Sequence, residues 1–305
     1  MSVPEKSILN STVIDVLCVG HASYDLVFVV DHHPLPDEKL FADSLSGCGG
    51  GPAANAAVMV AKLGMRAAFA GYLGNDLYGV KHYQEFQQHQ VNVDLIHRGD
   101  SPTPVSVVLV KPDGHRALVN YKGDTQALPN DSIDFSTLQP RTILFDGHEP
   151  HISMPLAVHA REQGIPTILD AGSVHTGTLG LMTQVDYLVA SEKFACQIAG
   201  TPEAALKQLA ELAPTVVITM GEHGLIWQRG SESGAMPAFK VDAIDTTGAG
   251  DAFHGAFAAA LAANLSWQDI LRYASAAGSL TCTMIGARPG LPDKIAHQAL
   301  LGSVN

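Results

Sequence analysis

The chain is poor in cysteine, in aromatic residues and in positive charge, and it has no long hydrophobic run. Its four cysteines, Cys18, Cys48, Cys196 and Cys282, form no CxxC pair, and no His/Cys spacing resembles a zinc site. Cys18, Cys196 and Cys282 have apolar or small neighbours and read as buried thiols, whereas Cys48 lies inside a glycine run and reads as a small residue tolerated in a tight loop. Lys and Arg total 18 against 30 Asp and Glu, a net charge of −12. That balance excludes a general nucleic-acid or anionic-membrane binder, whose attraction to phosphate comes from Lys and Arg. It leaves room for one small anionic ligand at a local site. The longest apolar stretch, Ala256 to Ala263, is far below a membrane span. Met1 to Thr12 is polar with no apolar h-region, unlike a signal peptide. The expectation is a reduced, soluble, cytoplasmic protein.

What is present is apolar pattern. Of 305 residues 46% are hydrophobic and 16% charged, too apolar for a disordered chain. Length alone gives a prior of two domains at about 150 residues each. Short apolar runs read as strands at Val13–Val19, Ala67–Ala70, Thr142–Phe145, Pro166–Asp170, Tyr187–Ala190 and Val216–Met220. Between and after them, helical patterns cover Pro52–Leu63, Asp76–His89, Ser153–Gln163, Glu192–Ala199, Pro202–Leu212, Asp251–Ala263, Trp267–Thr283 and Asp293–Leu300. Alternation of this kind implies parallel βαβ units and an α/β sandwich. Two stretches break the rhythm. Ser23–Ser46 holds strand-like pieces at Val27–Val30 and Lys39–Ser44, and Val105–Tyr121 reads as a hairpin turning at Pro112-Asp113-Gly114. Together they predict a small antiparallel sheet beside the core, formed by about 23–46 and 105–122, which suits a lid.

The strongest chemical signal is Asp245-Thr246-Thr247-Gly248-Ala249-Gly250-Asp251-Ala252-Phe253-His254-Gly255-Ala256-Phe257. Gly248, Ala249 and Gly250 leave the backbone bare where a helix begins. Unpaired N–H groups at the positive end of a helix dipole suit phosphate oxygens. Asp251 alone reads as a helix cap. Beside a held phosphate it reads as a base that takes a proton from an attacking hydroxyl.

This string resembles the C-terminal signature of the PfkB-type, ribokinase-like carbohydrate kinases. Gly49-Gly50-Gly51-Pro52-Ala53-Ala54-Asn55-Ala56-Ala57 with Leu63-Gly64 resembles their N-terminal signature, in the right order, and the similarity runs from about Val16 to Pro292. The resemblance implies a ribokinase-like three-layer α/β/α sandwich with a small β-sheet lid, one core domain rather than two. It implies Asp251 as general base and Gly248, Ala249 and Gly250 as the anion hole. Gly20-His21-Ala22-Ser23-Tyr24-Asp25 resembles the family's first strand and turn, so Asp25 would bind sugar hydroxyls, with Gly50, Gly51 and Asn55 closing on the sugar. Arg116, Asn120 and Lys39 are candidates from the lid. Thr219 and Gly221 resemble the nucleotide contacts, as do Ser191, Ser275 and Gly286, the last two in a stretch that resembles the adenine-lining helix and loop. ATP and Mg²⁺ are the implied cofactors, and Asp245 and Thr247 match positions that bind a monovalent cation such as K⁺ in several members.

The chain departs from the family at its NxxE element, where Ser191 stands at the asparagine and Phe194 at the glutamate that orders the Mg²⁺ water shell. Glu192 and Asp170 are the substitutes within reach. GGGPA most resembles the subgroup that includes sulfofructose kinases, yet Asp146–His151 offers no arginine to read a sulfonate. His148 and His151 are candidates to line the pocket. The expected activity is ATP-dependent phosphorylation of a primary hydroxyl on a ketohexose or related sugar. The alternatives are a nucleoside kinase of the same fold, a sulfo- or phospho-sugar kinase, and a non-catalytic regulator, the last disfavoured by an intact Asp251. Partners are the sugar and ATP, with a homodimer through the lid suggested by the family.

Overall fold

The computed structural model describes residues 13–112 and 114–303. The readings of Met1–Thr12 and of Asp113 in the hairpin turn lie outside the described residues. The first half contains β1 (Val16–Val19), β2 (Ser23–Val29), β3 (Ser44–Gly50), α1 (Pro52–Lys62), β4 (Ala67–Gly74), α2 (Leu77–Gln88), β5 (Ile96–Gly99), β6 (Val105–Val110), β7 (Arg116–Tyr121) and β8 (Thr142–Phe145). Then follow α3 (Pro150–Gln163), β9 (Thr167–Ala171), α4 (Thr176–Leu181), β10 (Tyr187–Ser191), α5 (Glu192–Ala199), α6 (Pro202–Leu209) and β11 (Thr215–Thr219). The chain ends with β12 (Leu225–Arg229), β13 (Glu232–Met236), α7 (Ala249–Ala262), α8 (Trp267–Thr281), the short α9 (Ala287–Gly290) and α10 (Lys294–Ser303).

The main sheet has the order β13-β12-β11-β10-β9-β8-β1-β4-β5. It is parallel from β5 to β11, and the antiparallel β12–β13 hairpin closes one edge. Helices cover both faces, so the central strands are continuously apolar. Within β1, Val16 and Cys18 pack into the core under α1, α7 and α8, while Leu17 and Val19 pack into the core under α3 to α6. Chain order reverses at β1, which has β4 on one side and β8 on the other. In such sheets ligands bind outside the carboxyl ends of the strands at this reversal.

The second sheet, β3-β2-β6-β7, is the expected lid sheet. It is mixed rather than wholly antiparallel, because β2 and β6 run parallel. Its edge strand differs from expectation. The strand is Ser44–Gly50, the glycine run itself, and not Lys39–Ser44. Pro34 and Pro36 keep the preceding stretch in a loop that first pairs at Asp43, whose N–H donates to the Val29 carbonyl at 2.8 Å. Low β-propensity hides β3 in the sequence, yet β2 supplies its partners from Ser23 to Val29. The reading of Cys196 as buried is also corrected. Phe194 and Ala195 occupy the buried face of α5, which leaves Cys196 exposed. Among the described residues no helix is long and apolar enough to cross a membrane.

Candidate active site

The ends of β1 and β8 meet through Asp146. Its Oδ2 accepts the backbone N–H of His21 at 2.7 Å and of Ala53 at 3.1 Å, and its Oδ1 accepts that of His148 at 2.9 Å. One buried carboxylate thus fixes the first turn, the start of α1 and the β8 exit. Sequence reading gave Asp146 no role, because its partners lie 125 and 93 residues away.

Helix α7 enters the same cleft. Gly248 caps it with φ of 78°, in the left-handed region that favours glycine, and a Cβ there would lie 2.7 Å from Ala287 Cβ. A Cβ on Gly250 would meet no atom within 4 Å. The N–H groups of Gly250 and Asp251 lie in the first turn, ahead of the helix's own hydrogen-bond ladder, and form a ready anion cradle.

Asp251 follows. Its Oδ2 accepts a hydrogen bond from Asn55 Nδ2 at 2.7 Å. Burial, and then the nearby Asp170 carboxylate, push its acid up to about 7, against the pull of the Asn55 hydrogen bond. Asp170, at the end of β9, is likewise raised to about 7 by burial, with Asp146 adding to it. His254 is held beside Asp170: Nδ1 is 2.6 Å from the Gly250 carbonyl and 3.3 Å from Asp170 Oδ2, and Nε2 is 3.1 Å from the Val189 carbonyl.

The lid contributes Asp25. It accepts from Ser23 Oγ at 3.1 Å, and burial holds its carboxyl above the usual range despite hydrogen bonds from Ser23 and Ser106. Gly50 lies against it, since a Cβ there would sit 2.3 Å from Asp25 Oδ2. Gly51 caps α1, and Asn55 is buried in that helix's first turns. Asn120 shares a cross-strand row with Ser106 and Asp25, on the same face of the lid. Lys39 stands on the exposed loop between β2 and β3. Arg116 reaches back to the core, donating from Nη1 to Asp245 Oδ1 at 3.2 Å and to Thr247 Oγ1.

The expected nucleotide residues lie on several elements. Thr219 ends β11, and Gly221 opens the next turn with space around its Cα. Ser275 is buried in α8. Gly286 donates its N–H to Asp245 Oδ2 at 2.7 Å. Ser191 is already committed as the cap of α5: its Oγ accepts from the Phe194 N–H at 3.0 Å and donates to the Gly172 carbonyl at 2.9 Å. Phe194 is fully buried and Glu192 is exposed, so the glutamate of the NxxE element has no replacement at its own position.

His148 stacks on His175 at 4.6 Å and lies 5.2 Å from the His21 ring, whereas His151 is exposed on α3. Burial first, then His148, lowers the His21 imidazole to about 4, so it stays neutral at pH 7. Among the described residues no group of three or more His, Cys, Asp or Glu has the geometry to hold a metal ion.

Comparison with known proteins identifies the relatives of the chain. The family model described as pfkB family carbohydrate kinase matches residues 13–294. A ribokinase of Lactococcus lactis is 27% identical over 282 residues, covering 91% of this chain and 93% of its own. A probable fructokinase-4 of Arabidopsis thaliana is 28% identical over 317 residues, covering 94% and 96%. The structure of Arabidopsis thaliana ribokinase complexed with ribose and ATP superposes with a TM-score of 0.83 at 26% identity, over 95% of this chain and 99% of that one. The chain belongs to the pfkB family of carbohydrate kinases, phosphotransferases with an alcohol group as acceptor.

Proposed function

We propose that the protein transfers the γ-phosphate of ATP to a primary hydroxyl of a sugar, a ketohexose or a related compound. The observation that carries this reading is Asp251, a carboxyl held near neutrality, one residue beyond the open Gly250 cradle and facing Asn55 and Asp25. Asp25, with Ser106 and Asn120 beside it on the lid, binds the sugar hydroxyls. Asp251 accepts the proton of the attacking hydroxyl as the phosphoryl group leaves ADP. The N–H groups of Gly250 and Asp251, presented by the Gly248-Ala249-Gly250 turn, take up the charge that develops on the phosphoryl oxygens. Thr219, Gly221, Ser275 and Gly286 bound the nucleotide side. The chain acts as one domain with a discontinuous lid, whose closure excludes water as a competing acceptor.

Mg²⁺ keeps most of its waters and is held largely by nucleotide phosphates, where it neutralises charge. Asp170 fits as the protein's contribution, since a nearby cation would offset the burial that raises both Asp170 and Asp251 and the charge of Asp170 that adds to the rise at Asp251. Glu192, exposed at the start of α5, fits less well.

A monovalent cation fits Asp245 and Thr247 only after a rearrangement. Asp245 Oδ1 already accepts from Thr247 N at 2.9 Å, Thr247 Oγ1 at 2.6 Å and Arg116, and Oδ2 from Gly286 N. The Arg116 guanidinium supplies positive charge at that point. Exchanging choline for K⁺ is therefore expected to change kcat little in the wild type and several-fold more in Arg116→Ala. Equal responses in the two proteins would refute this account of Arg116.

The lid face opposite Asp25 is apolar across four strands, with Leu45 60%, Val119 68% and Tyr121 60% exposed. We assign a second copy of the chain to it, as the family suggests. Sedimentation should show a dimer for the wild type and a monomer for Val119→Glu; a wild-type monomer at micromolar concentration would remove the assignment. For the reaction itself, ADP release over a panel of sugars and nucleosides is expected to be fastest with a ketohexose. Preference for a nucleoside would replace the sugar reading with the nucleoside-kinase one.

A further inference from the structure

Glu85 and Arg288 belong to neither signature string. Arg288 falls in the loop whose resemblance is to an adenine-lining segment, but its side chain turns inward and is 3% exposed. Its guanidinium meets three partners. Nε donates to Asn55 Oδ1 at 3.1 Å, Nη1 to Glu85 Oε1 at 3.1 Å, and Nη2 lies 3.3 Å from His82 Nε2. The second oxygen of Glu85 accepts the N–H of Gly49 in β3 at 2.6 Å. A continuous chain of contacts therefore joins the glycine strand of the lid to Glu85, Arg288, Asn55 and Asp251.

The chemistry of that chain is directional. The two ends of an asparagine amide are nearly the same shape and differ only in donating or accepting. A guanidinium can only donate, so it holds Oδ1 toward itself and turns Nδ2 to Asp251. The flipped amide would set NH₂ against guanidinium and carbonyl against carboxylate, two repulsions at once. A buried arginine in turn needs a counter-charge, which Glu85 supplies. Replacing a buried ion pair by apolar residues of similar volume is often neutral for stability, so the pair is better accounted for by what it orients.

We propose that the Glu85–Arg288 pair is a positioning device that fixes the Asn55 amide, thereby holds Asp251 toward the acceptor, and anchors the glycine strand of the lid to the same point. The proposal rests on the phosphotransfer reading for the role of Asp251. Four groups face that carboxyl: Asn55 from α1, Asp170 from β9, Asp25 from β2 and His254 from α7 itself. Only Asn55 is bonded to Arg288. Losing its N–H to the carboxylate removes a contact that favours the ionised form, so the Asp251 acid must rise.

The test uses the full chain as wild type, as Arg288→Met and as the double variant Glu85→Gln/Arg288→Met, which leaves no lone buried charge and guards against misfolding of the single variant. Asp251 is titrated by difference infrared spectroscopy, each protein against its own Asp251→Asn version, and kcat is followed against pH. Both variants are expected to lose about 10- to 100-fold in kcat at pH 7, with KM for ATP within about twofold. The Asp251 carboxylate and the acid limb of kcat should both move up by about half a pH unit or more. Arg288→Lys, lacking the planar fork, should rescue neither. An unmoved Asp251 titration in a folded variant, or a kcat loss that only tracks the folded fraction, would overturn the proposal. The infrared titration needs no turnover, so a wild type that phosphorylates nothing would sink the phosphotransfer reading while this inference was still decided.

Discussion

Asp251→Asn is expected to lower kcat by about 10³- to 10⁴-fold, with KM for sugar and ATP little changed. The amide keeps the size of the side chain and can still accept from Asn55, but it cannot take a proton. The wild-type pH profile carries the same information. A base must be ionised to act, and Asp251 is held at about 7, so kcat should fall as pH drops through about 7. Stability should respond in the opposite sense. The folded-state value lies above that of an unfolded aspartate, so the fold binds this proton more tightly than the unfolded chain does. Native stability from this group is full at low pH and is lost as pH rises towards about 7. The Asn variant should therefore have a higher Tm than wild type at pH 8, and the gain should fade as pH falls towards 4. Thermal melts at the two pH values check this, and a variant that loses activity without that gain would contradict the burial of Asp251.

Gly248→Ala should damage both fold and chemistry, and Gly250→Ala chemistry alone. At Gly248 the left-handed conformation costs a residue with a Cβ about 1–2 kcal/mol. The new atom would also collide with Ala287 at 2.7 Å. The start of α7 must shift, and with it the N–H groups aimed at the phosphoryl oxygens. Removing such donors costs about 10²- to 10³-fold in kcat. At Gly250 the Cβ points into open space, so Tm should hold while the methyl group takes up room meant for the phosphate. Melting curves and kcat for the two variants separate the cases. A Gly250→Ala enzyme with wild-type kcat and ATP KM would show that the phosphate does not sit there.

The strands flanking the site were legible because burial on both faces writes them as apolar runs: β1, β8, β9 and β11 have every residue or all but one buried, and β10 has its three central residues buried. The α7 turn was legible because its glycines and Asp251 are consecutive. The glycine strand β3 was not, since its stability comes from β2 rather than from its own residues. The edge strands β5 and β13, and β12 beside β13, mix polar and apolar residues and gave no clear run. The inner support of the site was hidden for another reason. Arg288 meets Asn55 across 233 positions and Glu85 across 203, and neither spacing leaves a local pattern. A buried arginine is visible only once the cavity that buries it exists.

The central claim is that Asp251 and the turn before it move phosphate from ATP to a sugar hydroxyl. Its most direct test is phosphorus NMR of the product formed from ATP, Mg²⁺ and the sugar that the panel selects, with wild type and Asp251→Asn at equal concentration. The account predicts a new phosphomonoester on a primary carbon with the wild type, and its formation slowed at least about 10³-fold in the variant. Equal rates of product formation by the two proteins, or ATP consumed with only inorganic phosphate released, would contradict it.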